Sequence, residues 1–227
     1  MKRRNFLQKA SLSTIGVVAS ASVVACNANK EKNNSGSIVN SISVKPIVIA
    51  TWNVPNATAK AWEVINNGGT SLDAVEQGCM IEEADVKNSS VGKGGLPDRD
   101  GNVTLDACIM DKDGNYGAVM CVQNITHVIS LARKVMEQTP HVILAGEGAE
   151  KFGYDLGFKK ENLLTESSKK AWEKWKKTSD YKPIINIENH DTIGMLAIDH
   201  NGDISGACTT SGLSYKMAGR VGDSPII

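Results

Sequence analysis

The sequence predicts an α+β protein in which helices cover a sheet on both faces. Two turn signals each join a pair of β-prone segments: Asp113-Gly114 between residues 103–110 and 116–122, and Asn201-Gly202 between residues 192–199 and 204–210. The four segments are apolar at successive positions instead of alternating, the pattern of strands buried on both sides. Stretches of helical spacing lie in sequence between the two hairpins, which is how an α+β chain is laid out.

The elements follow in order. Residues 46–52 (PIVIATW) are a short β-branched run and read as a buried strand. Residues 57–66 carry Ala57, Ala61, Val64 and Ile65 at helical spacing and stop at Gly68-Gly69. Ser71 is placed to cap a second helix with the stripe Leu72, Val75, Cys79 and Met80. Residues 91–101 (VGKGGLPDRDG) are loop; without a GK[ST] ending they are no phosphate loop. A helix over 128–138 ends before Pro140. A short apolar run over 141–145 and a helix over 147–156 follow, then a charged, amphipathic surface helix within 161–177 bearing Trp172 and Trp175. Residues 181–188 approach the final hairpin as a linker.

Composition narrows the function. Hydrophobic residues make up 41% of the 227, enough for a real core in one domain. The 25 basic residues balance 25 acidic ones, which gives no electrostatic case for a nucleic-acid partner. The 5 cysteines form no CxxC pair and have no histidine at ligand spacing, so neither a metal nor a cofactor is expected. Cys79, Cys108, Cys121 and Cys208 read as small core residues.

The N-terminus reads as an address. Arg3-Arg4, Phe6-Leu7 and a short apolar stretch over 12–25 make a Tat-like signal peptide, too short to span a bilayer. Val23-Val24-Ala25-Cys26 has the form of a lipobox, with Cys26 the residue to be lipidated; plain cleavage nearby is the alternative. Residues 1–26 are therefore assigned to the signal and the polar, Asn/Ser-rich residues 27–44 to a flexible linker. The expected location is the periplasm of a bacterium, free or tethered as a lipoprotein.

The chemistry concentrates in residues 190–225. Thr192 enters one strand of the last hairpin and Thr210 leaves its partner, so an antiparallel pairing brings both hydroxyls to the open end. Arg220 and Asp223 follow in a glycine-flanked loop. Hydroxyls beside one fixed cation and one fixed anion suit a zwitterionic amino-acid group. From pattern alone this is a weak signal, and a plain hairpin with threonines beside an exposed ion pair is the alternative.

His190-Asp191-Thr192-Ile193-Gly194 resembles the self-cleavage motif of the glycosylasparaginase (aspartylglucosaminidase) branch of the N-terminal-nucleophile hydrolases. Residues 206–212 (GACTTSG) and 219–225 (GRVGDSP) resemble its second-strand and substrate-loop motifs. Ser90-Val91-Gly92 through Gly95, Pro97-Asp98 and Leu105-Asp106-Ala107 resemble its upstream pattern. The resemblance covers about residues 45–227 and implies a four-layer αββα sandwich. It divides the domain into an α chain (45–191) and the start of a β chain (192–227). It implies a cut between Asp191 and Thr192, assisted by Asp191, that frees Thr192 as the catalytic nucleophile. Thr210 would orient the Thr192 amine and hydroxyl, Arg220 clamp the substrate α-carboxylate, Asp223 pair with its α-ammonium, and Trp52 line the pocket; a core aromatic is the alternative for Trp52. His190 is read as structural. The implied substrate is a small glycosylasparagine or related asparagine amide, and the implied assembly a dimer of α/β heterodimers.

The family pattern continues about a hundred residues past Ile227 and there supplies an oxyanion-hole Thr-Gly pair, so these 227 residues are read as a truncated, inactive fragment. The competing readings are an isoaspartyl peptidase/L-asparaginase of the same superfamily and a non-enzymatic, amino-acid-binding surface lipoprotein.

Overall fold

The computed structural model describes residues 45–178 and 192–226. The signal segment 1–26 with Cys26, the linker 27–44, the approach 181–188, His190 and Asp191 lie outside the described residues.

Among the described residues, six strands form one sheet: β1 (Ile47–Ala50), β2 (Leu105–Met110), β3 (Tyr116–Val122), β4 (Ile143–Ala145), β5 (Ile193–Ile198) and β6 (Ile204–Thr210), in the order β1-β5-β6-β2-β3-β4. All neighbours are antiparallel except β3 and β4. Both expected hairpins form, and β2 pairs with β6 to join them, Cys108 opposite Cys208. The helices are α1 (Pro55–Asn66), α2 (Ser71–Ala84), α3 (Val128–Gln138), α4 (Gly146–Asp155) and α5 (Glu166–Thr178). The α3 crossover carries the chain from β3 to the parallel β4, which a hairpin cannot do.

The helices form for local reasons. Pro55 opens α1, where its fixed φ is already helical and its missing N–H is no loss. Ala57, Ala61 and Ile65 turn inward as the spacing predicts. Thr70, not Ser71, caps α2, accepting from the Asp73 N–H at 3.1 Å. Ser71 is the first helical residue, and its N–H donates to Asp199 Oδ2 at 2.9 Å. Asp199 thereby joins the β5–β6 turn to the α2 N-terminus, where a carboxylate is favoured. Gly78 lets α2 settle on β5: a methyl there would lie 2.5 Å from Met195 Sδ.

Two further sequence readings are corrected. Residues 46–52 are not a buried strand: among the described residues β1 is the sheet edge and pairs with β5 alone, and Ile49 is 55% exposed. Nor, among the described residues, do the last hairpin and β1 have helices on both faces. The core side, with Val48, Met195 and Ala197, packs under α1 and α2, whereas Ile49, Leu196 and Ile204 are exposed on the other side. The described residues thus supply one sheet and its helical layer, in keeping with the α+β fold. Among them, no helix is long and apolar enough to cross a membrane.

Candidate active site

Thr192 immediately precedes β5, and its carbonyl is gripped from the end of β1. Thr51 Oγ1 donates to it at 2.9 Å and Trp52 Nε1 at 3.0 Å. Thr51 Oγ1 also accepts the Gly194 N–H at 2.9 Å, while the Thr51 N–H donates to the Gly194 carbonyl at 2.9 Å. A side-chain oxygen thus closes the last rung of the β1–β5 ladder. The chain can then turn away at Trp52, whose φ of 64° lies in the left-handed region. A tryptophan held there is a strained backbone of the kind that gathers at functional sites. Trp52 is 66% exposed, so it is not a core aromatic.

The Thr192 hydroxyl lies 3.1 Å from Ser224 Oγ. Trp52, Thr192, Asp223 and Ser224 line one cleft of about 470 Å³ whose floor is the sheet face turned away from α1 and α2, with Cys108, Leu196 and Cys208. A smaller cavity of about 250 Å³ on the other flank is shared by Trp52, Thr192, Glu82 and Ser90.

Neither Thr210 nor Arg220 lines this cleft. One residue beyond the Ile193–Thr209 pair, the antiparallel register sets Thr210 beside Thr192. Thr210 is buried, donates to the Ser90 carbonyl at 3.4 Å and accepts the Gly212 N–H at 2.9 Å. Arg220 folds back between two glycines: a methyl would lie 3.2 Å from its Nη1 at Gly212 and 2.8 Å at Gly222. Asp223 is exposed at the rim. Asp191 lies outside the described residues, so the bond before Thr192 is not in view.

Three contributors lacked a distinctive sequence signal. Ser224 touches the Thr192 hydroxyl, although only its position beside Asp223 marks it. Thr51 reads as strand end. Lys216 is buried, its ammonium donating to the carbonyls of Ser211 at 2.8 Å and Thr104 at 3.3 Å. Burial pushes its pKa down, opposed by the nearby Asp106 carboxylate. Asp106 in turn is raised by burial, opposed by the Cys121 N–H, Lys216 and Arg220. This buried charge cluster anchors the loop that carries Arg220 and Asp223. Two backbone bonds tie that loop to residues 97–99, Tyr215 N–H to Pro97 O and Arg99 N–H to Lys216 O, and Trp175 of α5 stacks on Tyr215 at 4.6 Å.

Cys108 and Cys208 on the cleft floor are held as thiols. Burial pushes Cys108 up to about 12 and Cys208 up to about 11, the latter partly offset by a hydrogen bond with Ser224. No cluster of metal-ligating side chains is found among the described residues.

A sequence model of the asparaginase family (Asparaginase_2) matches residues 32–227. The chain belongs to that family. It is 54% identical to an N(4)-(β-N-acetylglucosaminyl)-L-asparaginase of Elizabethkingia miricola over 226 residues, 99% of this chain and 64% of the relative. It is 37% identical to the Mus musculus enzyme of the same name over 83% of this chain and 64% of the relative. An isoaspartyl peptidase/L-asparaginase of Rattus norvegicus is 40% identical over 77% of this chain and 53% of the relative. The chain therefore spans about 64% of the length of the first two relatives.

Proposed function

We propose that the whole protein is a self-cleaving amidohydrolase that hydrolyses the side-chain amide of an N4-substituted asparagine, releasing aspartate and a glycosylamine. The observation that carries this reading is the grip on Thr192. Its carbonyl is held by Thr51 and Trp52, and its hydroxyl faces Ser224 beside Asp223, in a chain 54% identical to a relative named for that reaction.

A threonine hydroxyl is a weak nucleophile near neutral pH and needs a base. In the uncut chain the Thr192 nitrogen is an amide and takes up no proton. In the first step the hydroxyl attacks the Asp191 carbonyl, the acyl group passes from nitrogen to oxygen, and water hydrolyses the ester. The products are a carboxylate on Asp191 and a free amine on Thr192. That amine has a pKa near 8 in model peptides, so it accepts the hydroxyl proton directly or through water. Mature Thr192 then attacks the substrate amide, the glycosylamine leaves with a proton, and water releases aspartate from the acyl-enzyme. Arg220 offers a two-pronged donor to the α-carboxylate, Asp223 a counter-charge to the α-ammonium, and Thr210 a neighbour that orients the Thr192 head.

Further parts of the reading are export by the Tat-like signal, tethering through Cys26, and assembly of the cut chains as a dimer of heterodimers. Mass spectrometry of the full-length product tests the core of it. A chain beginning at Thr192 is expected, and an intact polypeptide in Thr192→Ala. A wild-type protein that turns over substrate while remaining uncut overturns the proposal. Turnover of a sugar-linked asparagine against a β-aspartyl dipeptide separates it from the isoaspartyl-peptidase reading. Loss of lipid labelling in Cys26→Ala tests the tether.

A further inference from the structure

Glu83 has no exposed surface, yet it is a carboxylate set in the helical layer. It lies on α2, and its Oε1 accepts twice: from the Thr209 hydroxyl at 2.8 Å and from the Ile129 N–H at 2.9 Å. Its Oε2 faces His127 Nδ1 at 3.3 Å. Ile129 is in the first turn of α3, whose cap residue His127 makes no side-chain capping bond. Glu83 supplies that acceptor from a neighbouring helix, where a carboxylate suits the free N–H groups and the positive end of the helix dipole. Thr209 lies on β6, opposite Ile193 and next to Thr210. A single buried group therefore joins α2, α3 and the strand at the centre of the candidate site.

The backbone of Glu83 is itself fixed. Gly92, at φ +64°, packs so closely that a methyl there would be 2.2 Å from the Glu83 carbonyl oxygen. The same loop presents the Ser90 carbonyl, which accepts from Thr210 Oγ1 at 3.4 Å and from the Ser211 N–H at 2.9 Å. Residues 83–92 thus hold three successive residues of β6 and its exit. Burying a carboxylate is unfavourable unless its hydrogen bonds are satisfied, and burial pushes the Glu83 carboxyl up. An apolar side chain would fill the volume without that penalty, but it would leave the Thr209 hydroxyl and the α3 N-terminus without this acceptor.

We propose that Glu83 is a positioning residue for the Thr192 site: through the Thr209 hydroxyl it sets the height and rotation of β6, and so holds Thr210 and, across the register, Thr192. This rests on the reading of Thr192 as nucleophile. Thr209→Val keeps the shape and β-branching of the side chain and removes only the hydroxyl; Thr209→Ser keeps the hydroxyl. In the full-length protein, Thr209→Val is expected to slow self-cleavage and lower kcat about tenfold with KM within about twofold, and Thr209→Ser to recover most of the loss. Glu83→Leu is expected to reproduce the kcat loss, and the double variant to be no slower than Glu83→Leu alone, because both remove one linkage. If Glu83→Leu does not fold, the two Thr209 variants decide. Wild-type rates in Thr209→Val, or equal losses in Val and Ser, overturn the assignment. Thr192→Ala keeps the failures apart. If it still cuts and turns over, the nucleophile reading is wrong. If it is inactive while Thr209→Val is normal, only the role of Glu83 is wrong.

Discussion

Replacing Thr51 by valine tests the grip on Thr192 directly. The change keeps the size and branching of the side chain and removes an oxygen that donates to the Thr192 carbonyl and accepts from the Gly194 N–H, both at 2.9 Å. A hydrogen bond of this kind contributes about 1 kcal/mol net, and both are exposed, so water replaces part of each. The expected loss is about 1–2 kcal/mol, which in a domain of this size lowers Tm by about 4 °C. The larger effect falls on the chemistry. The Thr192 carbonyl and hydroxyl share one residue, so release of the carbonyl loosens the geometry of attack; a loss of about 1.4 kcal/mol at the transition state slows self-cleavage about tenfold. The assay is the appearance of the chain starting at Thr192, followed by mass spectrometry after rapid purification, with Thr51→Ser as the control that restores both bonds. Cleavage at the wild-type rate in Thr51→Val, with Tm unchanged, would show that the oxygen holds nothing and would refute the argument.

Other outcomes follow from single contacts. Gly222→Ala puts a methyl 2.8 Å from Arg220 Nη1, the tip of a flexible side chain, so KM for an α-carboxylate substrate should rise about tenfold with Tm nearly unchanged. Gly92→Ala meets the Glu83 backbone at 2.2 Å with φ +64°, where nothing can yield; soluble, self-cleaved protein should be lost, and its recovery in normal yield would count against the packing. His127 is raised by its hydrogen bond to Glu83, and Glu83 is raised by burial. Both bind protons more tightly folded than unfolded, so stability falls as pH rises. The histidine share is complete below its ordinary 6.5 and lost above its raised value; the glutamate share is lost in the same way from 4.5 upward. Thermal melts of Glu83→Gln between about pH 5 and pH 9 should be flatter than wild type, and an unchanged slope would exclude the pair as the cause.

Local structure was legible where local physics decides it. Asp113-Gly114 and Asn201-Gly202 mark turns because each loop closes on a left-handed residue, φ 78° at Gly114 and 84° at Gly202, which glycine adopts without strain, and both hairpins form around them. The stripe Ala57, Ala61, Ile65 announces α1 because 3.6-residue periodicity needs no partner to be seen. Thr192, Asp223 and Trp52 were singled out from the sequence and meet in one cleft. Thr51, Ser224 and Glu83 were not, because a threonine at a strand end, a serine in a loop and a glutamate on a helix look alike whether they hold a reactive group or face water.

The sequence by itself determined the periods, the turns, and which short stretches carry hydroxyls beside a cation and an anion, since these depend on residues within a few positions of one another. Tertiary structure alone decided that β2 pairs with β6, that β1 is an edge of the described sheet instead of a buried strand, and that a helix glutamate reaches Thr209 across 126 positions of chain. The physical reason is that these contacts are chosen by competition among surfaces distant in sequence. Each is stabilised only once the rest of the sheet and its helices are in place.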